Sequence, residues 1–448
     1  MCLILKRLKF FLDGKLNEKV YEEALKIKNF YEVYPEPFKS PPESTVVFIF
    51  QTNKGIYFGF RCYTEGRKPD KSATGDVVKL YLDTYLDREN AYMFEIRVNG
   101  EKIDARITGG ENYNFNADFL WEGEVYSYEN YFEVEIFIPW KGLLGKKGSW
   151  GIDIAREGPN HAYEIRLSPY DSKKEKFHVS RFKIIKWINY QTKLFTLEFQ
   201  PIFLLHHGED FGVKYKYKSE IGVNTYLKFK ENFKFVFTFN PDFGEVEADP
   251  FRLNLTKYPL FYSETRPFFT EGSEFFELSG GNLFNVFYSR QIGKTLFSGK
   301  SIPISFAEKF FLKSNFYELS FLHAQTKRTK DIYEEIPKSD FFVRKFKILP
   351  YKNFSLSFIG AYKSINKEHT KGLLGMEFFY NDSITTFEIE NVFDNYVSHD
   401  FAQRVNFAKI LKNFNISADF SSIPDSFSDN EVGFIPWKGE NTLVILVG

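Results

Sequence analysis

The stretch FKFVFTFNPDFGEVEADP, Phe233–Pro250, sets four phenylalanines two residues apart and then three acids, Glu245, Glu247 and Asp249, at the same spacing. Successive side chains of an extended strand point to opposite faces. As a strand, the segment puts Phe233, Phe235, Phe237 and Phe239 on one face and Lys234, Val236, Thr238 and Asn240 on the other. The fold turns on whether the phenylalanine face meets a protein core or hydrocarbon.

The same alternation continues on both sides of this stretch. Val213, Tyr215 and Tyr217 alternate with Lys214, Lys216 and Lys218, and Val223, Thr225, Leu227 and Phe229 with Asn224, Tyr226 and Lys228. Farther on, Phe354, Leu356 and Phe358 alternate with Ser355 and Ser357, and Phe414, Ile416, Ala418 and Phe420 with Asn415, Ser417 and Asp419. Polar connectors at Thr326–Ser339, Ser364–Lys371 and Asp394–Asp400 separate the runs. Alternating segments of about ten residues between polar turns are the pattern of an antiparallel membrane barrel. A soluble sheet with one wet face alternates in the same way. Energetics separate the two: each Phe gains about 1.5–3 kcal/mol on leaving water, so a cover is required, and no amphipathic helix follows Phe195 to supply one. The lysines then face the interior or a rim, because Lys near a bilayer midplane costs about 2–4 kcal/mol.

Composition agrees with strands rather than helices as the crossing elements. The chain has 448 residues, enough for two or three domains. Aromatics reach 19%, with 54 Phe and 27 Tyr, while 26% of residues are charged. No segment approaches the ~18 consecutive apolar residues of a spanning helix. Lys+Arg and Asp+Glu balance at 59 each, which leaves no global field for nucleic acid, and no nucleic-acid partner is expected. Cys2 and Cys62 are too few for a disulfide framework. The opening MCLILKRLKFF has its basic residues after a short apolar run, so it does not read as an export signal.

Residues 8–195 read as a β-sandwich with one short helix, which Asn17 would cap. Strands are expected at Thr45–Gln51, Gly55–Tyr63, Asp76–Asp83, Ala91–Val98, Tyr131–Ile138 and Trp150–Arg156. In the fifth, Phe132, Val134, Ile136 and Ile138 alternate with Tyr131, Glu133, Glu135 and Phe137, as in a strand with one face in a core. The expected fold is all-β, a sandwich followed at 196–448 by an antiparallel, outer-membrane-type barrel. Pro259, Pro267 and Gly272 among Phe261, Tyr262, Phe268, Phe269, Phe275 and Phe276 argue that 258–277 is a plug or loop rather than a spanning strand.

NPDFGEVEADPFRLNLTKYPLFYSETRPFFTEGSEFFE (Asn240–Glu277) with LFNVFYSRQIG (Leu283–Gly293) closely resembles the signature of uncharacterised bacterial outer-membrane proteins, in which a domain like the family 9 carbohydrate-binding modules precedes a barrel. LDGKLNEKVYEEALKIKNFYEV, GIYFGFRCY, GDVVKLYLDT, FEVEIFIPWKGL and WGIDIAR resemble that module's strands in order. The resemblance implies an outer-membrane location with a periplasmic sandwich, a carbohydrate ligand, contact with membrane lipid, and no covalent chemistry. It also implies a leader before LDGKL and an aromatic-ended last strand; ENTLVILVG departs from the latter, so the barrel is expected to be either complete or shortened. A secreted carbohydrate-active enzyme, or an accessory module of an O-glycosyl hydrolase, is the alternative.

Sugar rings stack on aromatic faces while planar polar groups bond their hydroxyls, and Tyr92, Arg97, Asn99 and Trp121 are the candidates. Trp140 and Trp150 read as packing residues, so the paired tryptophans with which family 9 modules grip a sugar have no clear counterpart. Asp76 and Asp83 flank VVKLYL and are candidate ligands of a structural calcium, with turn capping as the alternative. Glu245, Glu247 and Asp249 form a candidate acidic cluster whose simplest role is pairing with nearby bases, and Arg266 between Glu264 and Glu271 suggests an ion-pair network. Two carboxylates of a glycosidase would need to stand roughly 5–10 Å apart across a cleft, which no spacing here establishes, and HExxH, P-loop, GxGxxG and GxSxG motifs are absent.

Overall fold

The computed structural model describes residues 3–5, 11–115, 117–190, 194–210, 213–230, 232–241, 261–262, 264–278, 285–294, 301–314, 316–330, 335–351, 353–366, 369–382, 384–394, 400–411 and 414–447. The chain divides into two compact units, Met1–Thr192 and Lys193–Gly448.

Two sheets form the first unit. One runs Leu3–Leu5, Thr45–Thr52, Gly55–Tyr63, Tyr131–Pro139, Glu122–Ser127, with Leu25–Ile27 also on Thr45–Thr52. The other runs Tyr31–Tyr34, Glu164–Arg166, Gly148–Glu157, Val77–Asp83, Ala91–Arg97, Lys102–Thr108, Asn112–Asn114, with Lys183–Ile188 also on Gly148–Glu157. Val47, Ile49, Phe58, Val134 and Ile136 of the first pack against Val78, Leu80, Phe94, Ile152 and Ile154 of the second. The six expected strands are present, Gly55–Tyr63 with the expected bounds and the others with at least one end shifted by one or two residues. Short or weakly alternating strands such as Tyr31–Tyr34 and Glu164–Arg166 were not legible. The helix is a single turn, Val20–Glu23, whose N-cap residue is Lys19 and makes no side-chain cap bond, so Asn17 does not cap it. Trp140 and Trp150 are buried edge to face at 6.1 Å, and their indole N–H groups donate to Thr52 O at 3.0 Å and Lys146 O at 2.7 Å.

The outer face of Tyr131–Pro139 carries Glu133 and Glu135, which are buried rather than wet. Glu135 accepts from the Asp13 and Gly14 N–H groups at 2.9 Å and from the Tyr21 hydroxyl at 2.6 Å; Glu133 accepts from Leu16 N at 3.1 Å and Arg61 Nε at 2.7 Å. The N-terminal segment is thus stapled over the sheet by two carboxylates. Burial pushes Glu135 up to about 7 from the usual 4.5, against the pull of its three donors. A carboxyl raised on folding binds its proton more tightly in the folded state, so its contribution is full below pH 4.5 and is lost as pH rises toward 7. Denaturant titrations are expected to show unfolding free energy falling by about 3 kcal/mol across that window, with Glu135→Gln flattening the slope.

The second unit is a twelve-stranded antiparallel meander in chain order: Phe195–Asp210, Val213–Phe229, Phe233–Phe239, Ile304–Lys313, Tyr317–Thr326, Ser339–Tyr351, Phe354–Ile365, His369–Asn381, Thr385–Asp394, Phe401–Ile410, Asn415–Ile423 and Glu440–Val447. Twelve strands are paired in this sheet among the described residues. Among the described residues the first and last strands do not pair with each other.

The two faces of this sheet invert the usual order. On one, Thr238, Lys309, Ser320, Lys345, Ser357, Glu377 and Glu390 are buried alongside apolar residues that include Phe311, Leu322, Phe341, Ile359 and Phe379. On the other, Phe346, Phe358, Leu374, Met376 and Phe393 are each about two-fifths exposed. Phe233 stacks on Phe310 at 6.0 Å and Phe310 on Phe321 at 5.7 Å, so the rings of neighbouring strands form rows along the surface.

Candidate functional site

The sandwich does not gather the four expected sugar-binding residues. Tyr92 is a core residue whose ring lies 4.4 Å from the Arg106 guanidinium and whose hydroxyl accepts from Leu144 N at 2.9 Å. Arg97, on the opposite face of the same strand, pairs with Glu95 at 2.8 Å and donates to Ala73 O at 2.7 Å. Asn99 lies beyond that strand in a turn and accepts from Glu101 N at 2.9 Å. Trp121 sits edge-on to Phe94 at 5.4 Å, under the Lys102 ammonium. Only Tyr92 and Trp121 share a neighbourhood, through Phe94 and Phe119.

The calcium expectation also changes. Asp76 immediately precedes Val77–Asp83 and Asp83 ends it, so the two stand roughly 23 Å apart at about 3.3 Å per residue and cannot share an ion. Asp76 receives both guanidinium nitrogens of Arg67 at 2.6 Å and lies 3.6 Å from Arg156. Asp83 accepts from the Asp87 and Arg88 N–H groups at 3.2 and 2.9 Å, which is turn capping. Among the described residues no three acidic, histidine or cysteine side chains are placed to hold a metal ion.

What the second sheet of the sandwich carries on its outer face is an aromatic and charged cluster in which Arg166, Tyr81 and Asp153 are buried and Phe115 is exposed. Arg166 lies 4.6 Å from the Phe177 ring and 5.0 Å from Tyr81, donates to Asp153 at 2.8 Å, and pairs with Glu164. Lys79 bridges Glu157 and Glu95 beside it. Tyr113 stacks on Phe115 at 5.7 Å and meets Phe177 at 5.9 Å, and Phe115 is 60% exposed. Burial, reinforced by Tyr81, raises the Tyr113 hydroxyl above its ordinary range, so it stays a neutral donor. These residues escape a reading of the sequence because they come from six separate segments; the polar alternation of Glu164 and Arg166 around Ile165 is the one local signal.

In the second unit the polar face of the meander is occupied by inserted chain. Residues 264–278 carry two short helical turns, Pro267–Thr270 and Ser273–Phe276, hinged at Gly272 with φ 67°. A side chain at Gly272 would collide with Phe311, on whose ring Phe275 stacks at 4.5 Å. Lysines of the sheet hold the insert by its carbonyls: Lys309 donates to Phe268 O and Glu271 O, and Lys345 to Glu277 O and, at 3.3 Å, Glu274 O. Ser320 donates to Phe275 O at 2.5 Å. Farther along, Asn285 bridges Phe434, and Tyr288 N donates to Val432 O at 2.8 Å, so residues 285–292 meet a second insert at 424–437. That insert is tied to the sheet by Glu431, which Lys363 and Lys371 contact at 2.5 and 2.8 Å and hold down to about 2 against the opposing effect of burial.

Arg266 chelates Glu264 at 2.8 and 2.6 Å and donates to Ile292 O and Ser289 O. Arg290 adds a longer contact to Glu264 at 3.9 Å. Burial opposes ionisation of Glu264, but Arg266 holds it below the ordinary carboxylate range. Glu271 is not part of this network: it pairs with Lys234 of the sheet. Glu245, Glu247 and Asp249 lie outside the described residues.

Residues 195–343 match the family described as "Domain of unknown function (DUF5916)". No curated protein matches the chain. Among solved structures, a family 9 carbohydrate-binding module from Caldicellulosiruptor kristjanssonii in complex with cellotriose is similar at 13% identity and a TM-score of 0.31, covering 42% of this chain and 93% of its own. The same organism's module in complex with glucose is similar at 14% identity and 0.31, covering 42% and 95%.

Proposed function

We propose that the chain is an outer-membrane β-barrel protein whose periplasmic sandwich binds a carbohydrate, and that it captures or helps pass a glycan without covalent chemistry. One observation carries the membrane reading: the meander buries lysines, glutamates and serines while exposing Phe, Leu and Met on its other face. In water that arrangement forfeits the hydrophobic term; in hydrocarbon it recovers it. The strands among the described residues number twelve, an even count, so the first and last of them run antiparallel, as closure of a bacterial barrel requires. The inserts at 264–278 and 424–437 then act as a plug held by interior lysines.

The carbohydrate reading is supported by the sequence resemblance and by the surface of Tyr113, Phe115 and Phe177 beside Lys79 and Glu164. Purified chain is expected to require detergent and to migrate faster on gels unheated than boiled. A monodisperse, detergent-free monomer overturns the membrane assignment. On a glycan array, Phe115→Ala is expected to weaken the strongest signal about two- to tenfold, since one stacking contact is worth about 0.5–1.5 kcal/mol; an unchanged signal places the sugar elsewhere.

A further inference from the structure

The polar face of the meander is electrically divided. One cross-strand row reads Lys313, Glu318, Lys347, Ser357, Glu377, Glu390, Arg404, each directly opposite the next. Lys309 and Lys345 flank its cationic side, and the inserted chain already occupies them with backbone carbonyls. Glu388 and Asp419 flank the other side. There Arg404 is the cation in contact, reaching Asp419 at 2.7 Å and Glu388 at 3.4 Å. Of the four carboxylates on this side, Glu388 and Asp419 contact the guanidinium, Glu390 lies directly opposite it across the strand pair, and Glu377, one strand farther on, accepts from Ser357 at 2.9 Å.

Two of these acids retain bare oxygens. Glu388 and Glu390 are 3% and 1% exposed, and Oε1 of each has no hydrogen-bond partner. Ser355, on the same face and fully buried, has a hydroxyl without a partner as well. Buried ionised carboxylates are strongly disfavoured unless paired, so these oxygens mark a place for a donor-bearing cation. Glu377 and Glu390 are cross-strand partners with β carbons roughly 5 Å apart; Glu388 is two residues along, roughly 7 Å away. The described carboxylates are not gathered as a metal's coordination shell would need. A –NH₃⁺ group, with three donors and a compact charge, suits acceptors spread in this way.

We infer that the Glu377–Glu388–Glu390 side of the polar face binds a protonated amine. Binding there requires only this face, whichever solvent meets the apolar one. The amine has two natural sources, an amino sugar or a linear polyamine. Calorimetric titrations of the full chain, in whatever solvent keeps it monodisperse, use glucosamine and putrescine as probes. Glucose, N-acetylglucosamine, tetramethylammonium and calcium chloride serve as comparisons at fixed ionic strength. Saturable binding of glucosamine or putrescine is expected, with at least tenfold weaker binding of the neutral sugars and of tetramethylammonium, which lacks N–H donors. Glucosamine binding alone identifies an amino sugar and putrescine alone a polyamine; both outcomes keep the amine. Glu388→Gln/Glu390→Gln is expected to cost at least tenfold in affinity, and Ser355→Ala, which leaves the charges in place, a smaller factor. Calcium binding without amine binding, amine affinity unchanged in the double variant while thermal unfolding matches the parent, or no binding of either amine overturns the assignment.

Discussion

Replacing Arg156 by methionine is expected to destabilise the first unit by about 3–5 kcal/mol, the range for removing one partner from a buried ion pair. Its guanidinium is 1% exposed and donates to Glu43 at 2.5 Å and to Ser44 O and Thr45 Oγ1 at 3.2 Å, with Asp76 at 3.6 Å. Arg67 reaches the same two acids from the rim, at 2.7 Å to Glu43 and 2.6 Å to Asp76. Tyr163 also donates to Glu43. Without Arg156 one guanidinium must serve two buried carboxylates. Arg67→Met removes the more exposed cation and is expected to cost less. Denaturant unfolding followed by tryptophan fluorescence measures both, and equal losses would show that Arg67 is the true counter-ion.

Phe358→Lys is the second large effect. Phe358 is 43% exposed on the apolar face, midway along Phe354–Ile365. Facing hydrocarbon, a lysine there is expected to cost about 2–4 kcal/mol; facing water, an exposed substitution stays within about 0.5 kcal/mol. Asn406→Lys on the polar face, beside Asp419 with its Nδ2 at 2.8 Å, is expected to be nearly neutral. Urea titrations of the chain refolded in lipid vesicles, read as the fraction of fast-migrating band, separate the cases. A Phe358→Lys protein as stable as the parent and more soluble would place the rings in water.

The second unit was the more legible half. Its strands are long and each runs past many partners in simple order, so alternation in Phe354, Ser355, Leu356 and Ser357 is enough to place every side chain on a face. The insert was legible through Pro267 and Gly272, which a central strand does not accommodate. Its anchors were not, because Lys309 and Lys345 read locally as ordinary polar positions. In the sandwich, Glu133 and Glu135 occupy alternating positions that look wet, yet a segment more than a hundred residues away covers them. Tyr92 reads as an accessible aromatic, and the core claims it because its neighbour on the same face is Phe94.

What the sequence by itself determined is two-facedness. The period of two is a local property of an extended chain, so the residues of each strand sort themselves into an aromatic set and a polar set before any partner is known. Only the tertiary structure decided which set is covered and by what: lysines under inserted carbonyls, glutamates under the N-terminal segment, Asp76 with Arg67 and Asp83 with its own turn. Those choices depend on cross-strand register and on contacts between residues far apart in the chain, which a local period does not encode.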